Sequence, residues 1–161
     1  MSFSQLADTI PIEFGKRIIS FISGGQNEDR IALKYWFNED SGETFALVSF
    51  GKLAQGPPNH THGGAISAVF DELMGACCWV NGYPVMTAQY TTRFFKPLTL
   101  QTEVLFSTKI KAIDGSKINL KAELVDKVGQ KYASARGLFI LQDMDKFEQM
   151  NLDSDTIVTK V

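Results

Sequence analysis

The chain has 161 residues, enough for one domain with a substantial core and short for two. A formal charge of −2 gives no basic footprint for nucleic acid, and 44% apolar against 21% charged residues is ordinary for a globular protein. No apolar run reaches bilayer-spanning length, and Glu13, Lys16 and Arg17 interrupt the apolar N-terminus, unlike a secretory leader.

In chain order, Ile10, Phe14, Ile18, Phe21 and Ile22 recur at helical spacing. They predict an amphipathic helical segment within residues 1–26, ended by Gly24-Gly25. Residues 30–37 and 44–50 read as strands joined by the polar turn NEDSG. GKLAQGPPNHT reads as a loop, and residues 63–80, which lack period-two alternation, as one long helix ended by Gly82 and Pro84. Four strands follow, over roughly 85–97, 100–112, 117–126 and 131–141. In the clearest, Ile118, Leu120, Ala122 and Leu124 alternate with polar residues, and IDGS and DKVGQ mark tight turns. Residues 143–161 are polar and read as a surface tail or short helix. Tight turns between strands favour an antiparallel sheet. The helix must bury its apolar side, and only the sheet is large enough. The class is therefore α+β, a single domain over 1–161 with a curved antiparallel sheet around one long central helix.

The stretch NHTHGGAISAVFDE, residues 59–72, opens that helix. At 100° per residue, one face carries Gly64, Ser67, Ala68, Asp71, Gly75 and Cys78. The other carries Ile66, Val69, Phe70, Leu73, Cys77 and Val80, a core stripe. Interior glycines each cost about 1 kcal/mol of helix propensity, so the strip of small residues marks a close approach, by a sheet, by a second helix such as that of a neighbouring subunit, or by a ligand. Asp71, in the middle of that strip, reads either as a satisfied buried carboxylate or as a base or nucleophile tuned by apolar surroundings. Glu72, about 100° away, falls toward the rim.

The N–H groups of Gly63 and Gly64 lie at the positive end of the helix dipole, where an oxyanion could form; plain glycine punctuation is the alternative. Gly63 and Asp71 are about 12 Å apart along a helix. One carbonyl cannot lie against both. If both act on one substrate, they come from two copies of the helix, antiparallel across a two-fold axis. His60 and His62 are the whole supply of histidine and are poorly placed with Asp71 for a metal. The adjacent Cys77 and Cys78 cannot form an ordinary bridge with each other and read as small hydrophobes in a reduced, cytoplasmic chain.

GPPNHTHGGAISAVFDELMG, VMTAQYTTRFFKPL and ASARGLFI together resemble the hotdog-fold acyl-CoA thioesterases, over roughly residues 44–141. The type is that of the phenylacetate pathway and the mammalian thioesterase-superfamily members. The resemblance implies a homodimer with sheets joined edge to edge, often paired into a homotetramer, and active sites at the subunit interface. It implies no cofactor, coenzyme A being part of the substrate, and neither nucleic acid nor membrane as partner. Asp71 matches the catalytic carboxylate, Gly63 the oxyanion donor with His62 and Gly64 beside it, and Thr87 a position that holds the water or carboxylate. Arg93 and Lys96 fall where relatives place basic residues near the nucleotide end of coenzyme A. Relatives also direct an Asn or Gln from the preceding loop at the carbonyl. Gln55 and Asn59 are the candidates here, with His60 beside them.

A thioester is electrophilic enough for a carboxylate and an oxyanion hole to suffice. The expected activity is hydrolysis of an acyl- or aroyl-CoA to free acid and coenzyme A. Hydration or dehydration of an acyl thioester, and non-catalytic acyl-CoA binding, are the alternatives.

Overall fold

Alternating side chains build most of the molecule. The computed structural model describes residues 3–14, 20–22, 29–145 and 158–160. Its strands and α-helix are β1 (Ile10–Phe14), β2 (Ile31–Phe37), β3 (Thr44–Phe50), α1 (Gly63–Val80), β4 (Val85–Phe94), β5 (Val104–Asp114), β6 (Lys117–Val125), β7 (Lys131–Leu141) and β8 (Val158–Lys160), with single 3-10 turns at Phe3–Leu6 and Lys52–Ala54. In β2, Ile31, Leu33, Tyr35 and Phe37 are buried while Lys34 is exposed; in β6, Ile118, Leu120, Ala122 and Leu124 are buried while Asn119 and Lys121 are exposed. The described strands form one sheet in the order β4-β7-β6-β5-β3-β2-β1-β8, and every neighbouring pair is antiparallel.

Helix α1 lies against β3, β4, β5, β6, β7 and β8. A flat sheet of this many strands would span about 34 Å, three times the width of a helix. Contact with both edge strands, β4 and β8, therefore requires the sheet to curl round the helix, which is the expected hotdog architecture. Ile66, Val69, Phe70, Leu73, Met74 and Cys77 of α1 are buried against it. Phe70 meets Phe106 edge-on, with centroids 4.9 Å apart, and Phe50 tilts onto the same ring. The length and composition of α1 are those of a membrane-crossing helix, which corrects the expectation that no apolar run is long enough. Here that apolar surface is spent on the sheet.

Three other expectations change. The helical segment expected within residues 1–26 is overturned at 10–14, where β1 pairs Ile10 with Phe37 and Ile12 with Tyr35. Ile10 and Phe14 fit both periods, but Ile12 is buried between exposed Pro11 and Glu13, the alternation of a strand, and β2 offers an edge for it to pair with. Phe21 and Ile22 form a turn, whereas residues 15–19 and 23–28 lie outside the described residues. The polar tail expected over 143–161 is corrected at its end: Val158–Lys160 pairs with β1 as β8, and residues 146–157 lie outside the described residues. Finally, β4 stops at Phe94 and β5 begins at Val104. Pro97 brings no amide to a ladder, and Gln101 turns the chain with φ of 59°.

Candidate active site

The start of α1 is set by its cap. His62, with φ −64° and ψ 132°, precedes the helix, and its Nδ1 accepts the Gly64 N–H at 2.8 Å. Its carbonyl accepts from Ala65 and Ile66, and its own N–H donates to the Ala54 carbonyl. A ring nitrogen that accepts is unprotonated, so the neutral imidazole carries its proton on Nε2. A Cβ at position 64 would stand 2.8 Å from Nδ1, so this glycine serves the cap. The expectation of two free N–H groups is thereby halved. Gly64 is engaged, whereas the Gly63 N–H has no partner among the described residues. Phe94 of β4 lies over Gly63, with ring atoms 3.3 Å from where a Cβ would be.

Along its strip of small residues, α1 faces β4. Thr87 Oγ1 donates to Asp71 Oδ1 at 2.9 Å, and Ser67 Oγ donates to Thr92 Oγ1 at 3.3 Å. A bulge at Ala88 arranges this: Thr87 pairs with Phe139, but Gln89 pairs with Leu138 and Tyr90 with Gly137. The phase of the strand shifts by one residue, which brings Thr87, Tyr90, Thr92 and Phe94 onto the helix side. Asp71 is half-buried in this groove. Tyr90 was not singled out by the sequence. Partial burial, and then the Asp71 charge, push its phenol above the ordinary value, so it stays a neutral hydrogen-bond donor.

Glu72 is half-buried, like Asp71. The hydroxyls of Ser20 and Tyr35 both donate to its carboxylate, tying residue 20 to the helix. Cys78, on the small-residue face of the helix, is nonetheless fully buried, as is Cys77. Burial pushes the Cys77 thiol up to about 11 and the Cys78 thiol higher still, which leaves neither as a nucleophile.

Loop residues separate into two places. A cavity of about 340 Å³ runs beside the helix start and is lined by Arg30, Gln55, His62, Gly64 and Ala68, with Phe21 and Leu53 among its apolar walls. Asn59, held at φ 60°, lines a different hollow with Lys52, Thr99 and Gln101. Gln55 lines both, and its Oε1 accepts the Asn59 N–H at 3.2 Å. His60 Nδ1 sits 2.8 Å from the Pro58 carbonyl. Arg93 pairs with Ser134 on the outer sheet face, away from Asp71, with its guanidinium 5.3 Å from the Phe95 ring centre. Lys96 Nζ donates to Gln130 Oε1 at 2.6 Å.

The model of the thioesterase superfamily matches residues 58–133, from the loop before α1 to the start of β7. The match to the thioesterase superfamily thus runs through α1, β4, β5 and β6. One relative is an acyl-coenzyme A thioesterase of Bos taurus, THEM4, 33% identical over 123 residues that make up 74% of this chain and 50% of the relative. Among solved structures, a thioesterase superfamily protein is 30% identical, with a TM-score of 0.64 over 68% of this chain and 53% of that one. A hypothetical thioesterase of Streptococcus pneumoniae with coenzyme A has the same fold, with a TM-score of 0.61 at 13% identity, covering 63% of this chain and 80% of that one. The chain spans about half the length of the curated relatives it matches first. The superfamily match contains His62, Gly63, Asp71, Thr87 and Tyr90.

Proposed function

We propose that the chain hydrolyses an acyl- or aroyl-coenzyme A thioester, as a cytoplasmic homodimer with a shared site. The observation that carries this is the Asp71 carboxylate, half-buried on the small-residue face of α1 and held at Oδ1 by Thr87. That bond leaves Oδ2 to take a proton from water or to attack the thioester carbon. Charge gathers on the carbonyl oxygen against the Gly63 N–H of the second copy. Where Asp71 acts as the base, the C–S bond then breaks and the proton taken from water passes to the leaving sulfur; where it acts as the nucleophile, the thiolate leaves first and takes a proton from solvent, and water then hydrolyses the acyl–Asp71 anhydride to release the acid. Neutral Tyr90 is a further donor facing the same groove.

The names of the bovine relative and of the coenzyme A-bound streptococcal protein support the substrate class. His62 favours hydrolysis over hydration, because its Nδ1 is spent on the helix cap. The test is thiol release from a panel of acyl-CoAs by wild type and Asp71→Asn. The variant is expected to fold and to lose turnover by about 10³-fold. Near-wild-type hydrolysis in the folded variant would remove Asp71 from the mechanism.

A further inference from the structure

The outer face of the sheet carries an arrangement that the thioester chemistry does not use. Lys109 of β5 stands directly opposite Lys121 of β6, and Lys121 stands directly opposite Arg136 of β7. Lys121 thus has a cation across from it on both neighbouring strands. Like charges at directly opposite positions destabilise a sheet, and this chain, at −2 overall, has no general surplus of positive charge to explain the row. Glu43 takes up Lys109 at 2.8 Å. Lys121 and Arg136 have no carboxylate partner among the described residues, and neither does Lys111, which the bulge between Ile110 and Ala112 leaves unpaired on β5. These three cations line one open depression of about 540 Å³, together with Gln89, Thr91 and Asn119.

We propose that this depression binds a nucleoside diphosphate or triphosphate distinct from the thioester. Three convergent cations match the charge of a di- or triphosphate group. The hollow is far larger than a bare phosphate needs, and the amides of Gln89 and Asn119, the Thr91 hydroxyl and the side chain of Leu138 suit a sugar and base at its edge. A second copy of the same face is disfavoured, since it would set the row of cations against itself. An extended polyanion is disfavoured too, because the outer-face positions that flank Lys121 on β6 are neutral Asn119 and acidic Glu123, the latter already paired with Lys131. The groove between α1 and β4 lies on the opposite side of the sheet, so the two sites are separate.

The register supplies a test with a sign. Thermal melts and calorimetric titrations would compare wild type, Lys121→Gln and Arg136→Gln, each with ADP, inorganic pyrophosphate or coenzyme A. Without ligand, each variant is expected to melt higher than wild type, since it relieves a like-charge pair. ADP is expected to raise the wild-type melting temperature, to bind with an affinity that falls as salt rises, and to lose at least tenfold in affinity in either variant. Three results would overturn the proposal: no binding of ADP or pyrophosphate at millimolar concentration, equal binding by wild type and variants, or protection by coenzyme A alone, which would assign the face to the thioester's own carrier.

Discussion

Gly63 is the first residue of α1, and a proline there would remove one N–H and little else. The first helical position tolerates proline, whose missing donor is unpaired by the helix in any case. His62, at φ −64° and ψ 132°, already has the extended conformation that a following proline requires. Phe94, against which the new ring would press, is 48% exposed and free to give way. Gly63→Pro is therefore expected to leave the melting temperature nearly unchanged while lowering kcat by about 10²-fold, the loss typical of one oxyanion donor. A stable variant with undiminished kcat would show that this N–H does not hold the carbonyl oxygen. Sequence spacing pointed to Gly63 and Asp71, but it could not divide the labour between the two glycines. That division depends on which ring nitrogen of His62 faces which amide, and a periodicity argument carries no such information.

The elements that were legible in the sequence are those that repeat one period for long enough. Strands β2, β3, β6 and β7 and helix α1 have nearly the expected limits. In β1, Ile10 and Phe14 satisfy both a helix and a strand, and β8, with three residues, is too short to show a period. The bulge in β4 had the largest effect on the site. Counting by twos from Thr87 puts Arg93 on the Asp71 side, and the extra residue sends it to the outer face while bringing Tyr90 in. Another element-level contact sets how closely α1 can approach the sheet. A Cβ on Gly137 of β7 would lie 2.6 Å from the Phe139 ring and 3.0 Å from Met74 Sδ. Both side chains are fully buried, so neither has empty space to enter. Gly137→Ala is expected to destabilise by about 1–3 kcal/mol through overpacking, read as a lower urea midpoint with an unchanged slope. An unaltered midpoint would mean that the helix is not clamped at this point.

Among the described residues the sheet ends on one side at β4, ten residues long and paired only with β7. Met86 and Phe94 of this strand, and Phe95 beyond it, are exposed by about half. A long edge strand with unpaired backbone groups and exposed apolar side chains invites another strand, and a copy of itself is the simplest partner. Such a join would also resolve the separation of about 12 Å between Gly63 and Asp71, by setting the helix start of one chain beside the middle of the other. The two requirements are independent, one arising from the backbone of β4 and the other from the reach of a thioester carbonyl, and a single two-fold axis would meet both. Mixing inactive chains separates this arrangement from a site held within one chain. In a heterodimer of Asp71→Asn and Gly63→Pro chains, one site receives both lesions and the other receives none. Random reassortment of equal amounts makes half of the dimers mixed, with one of two sites intact, so about a quarter of wild-type turnover is expected to return. Mixed dimers with no recovered activity would overturn the shared site, and the loss in Gly63→Pro would then need a cause other than the missing donor.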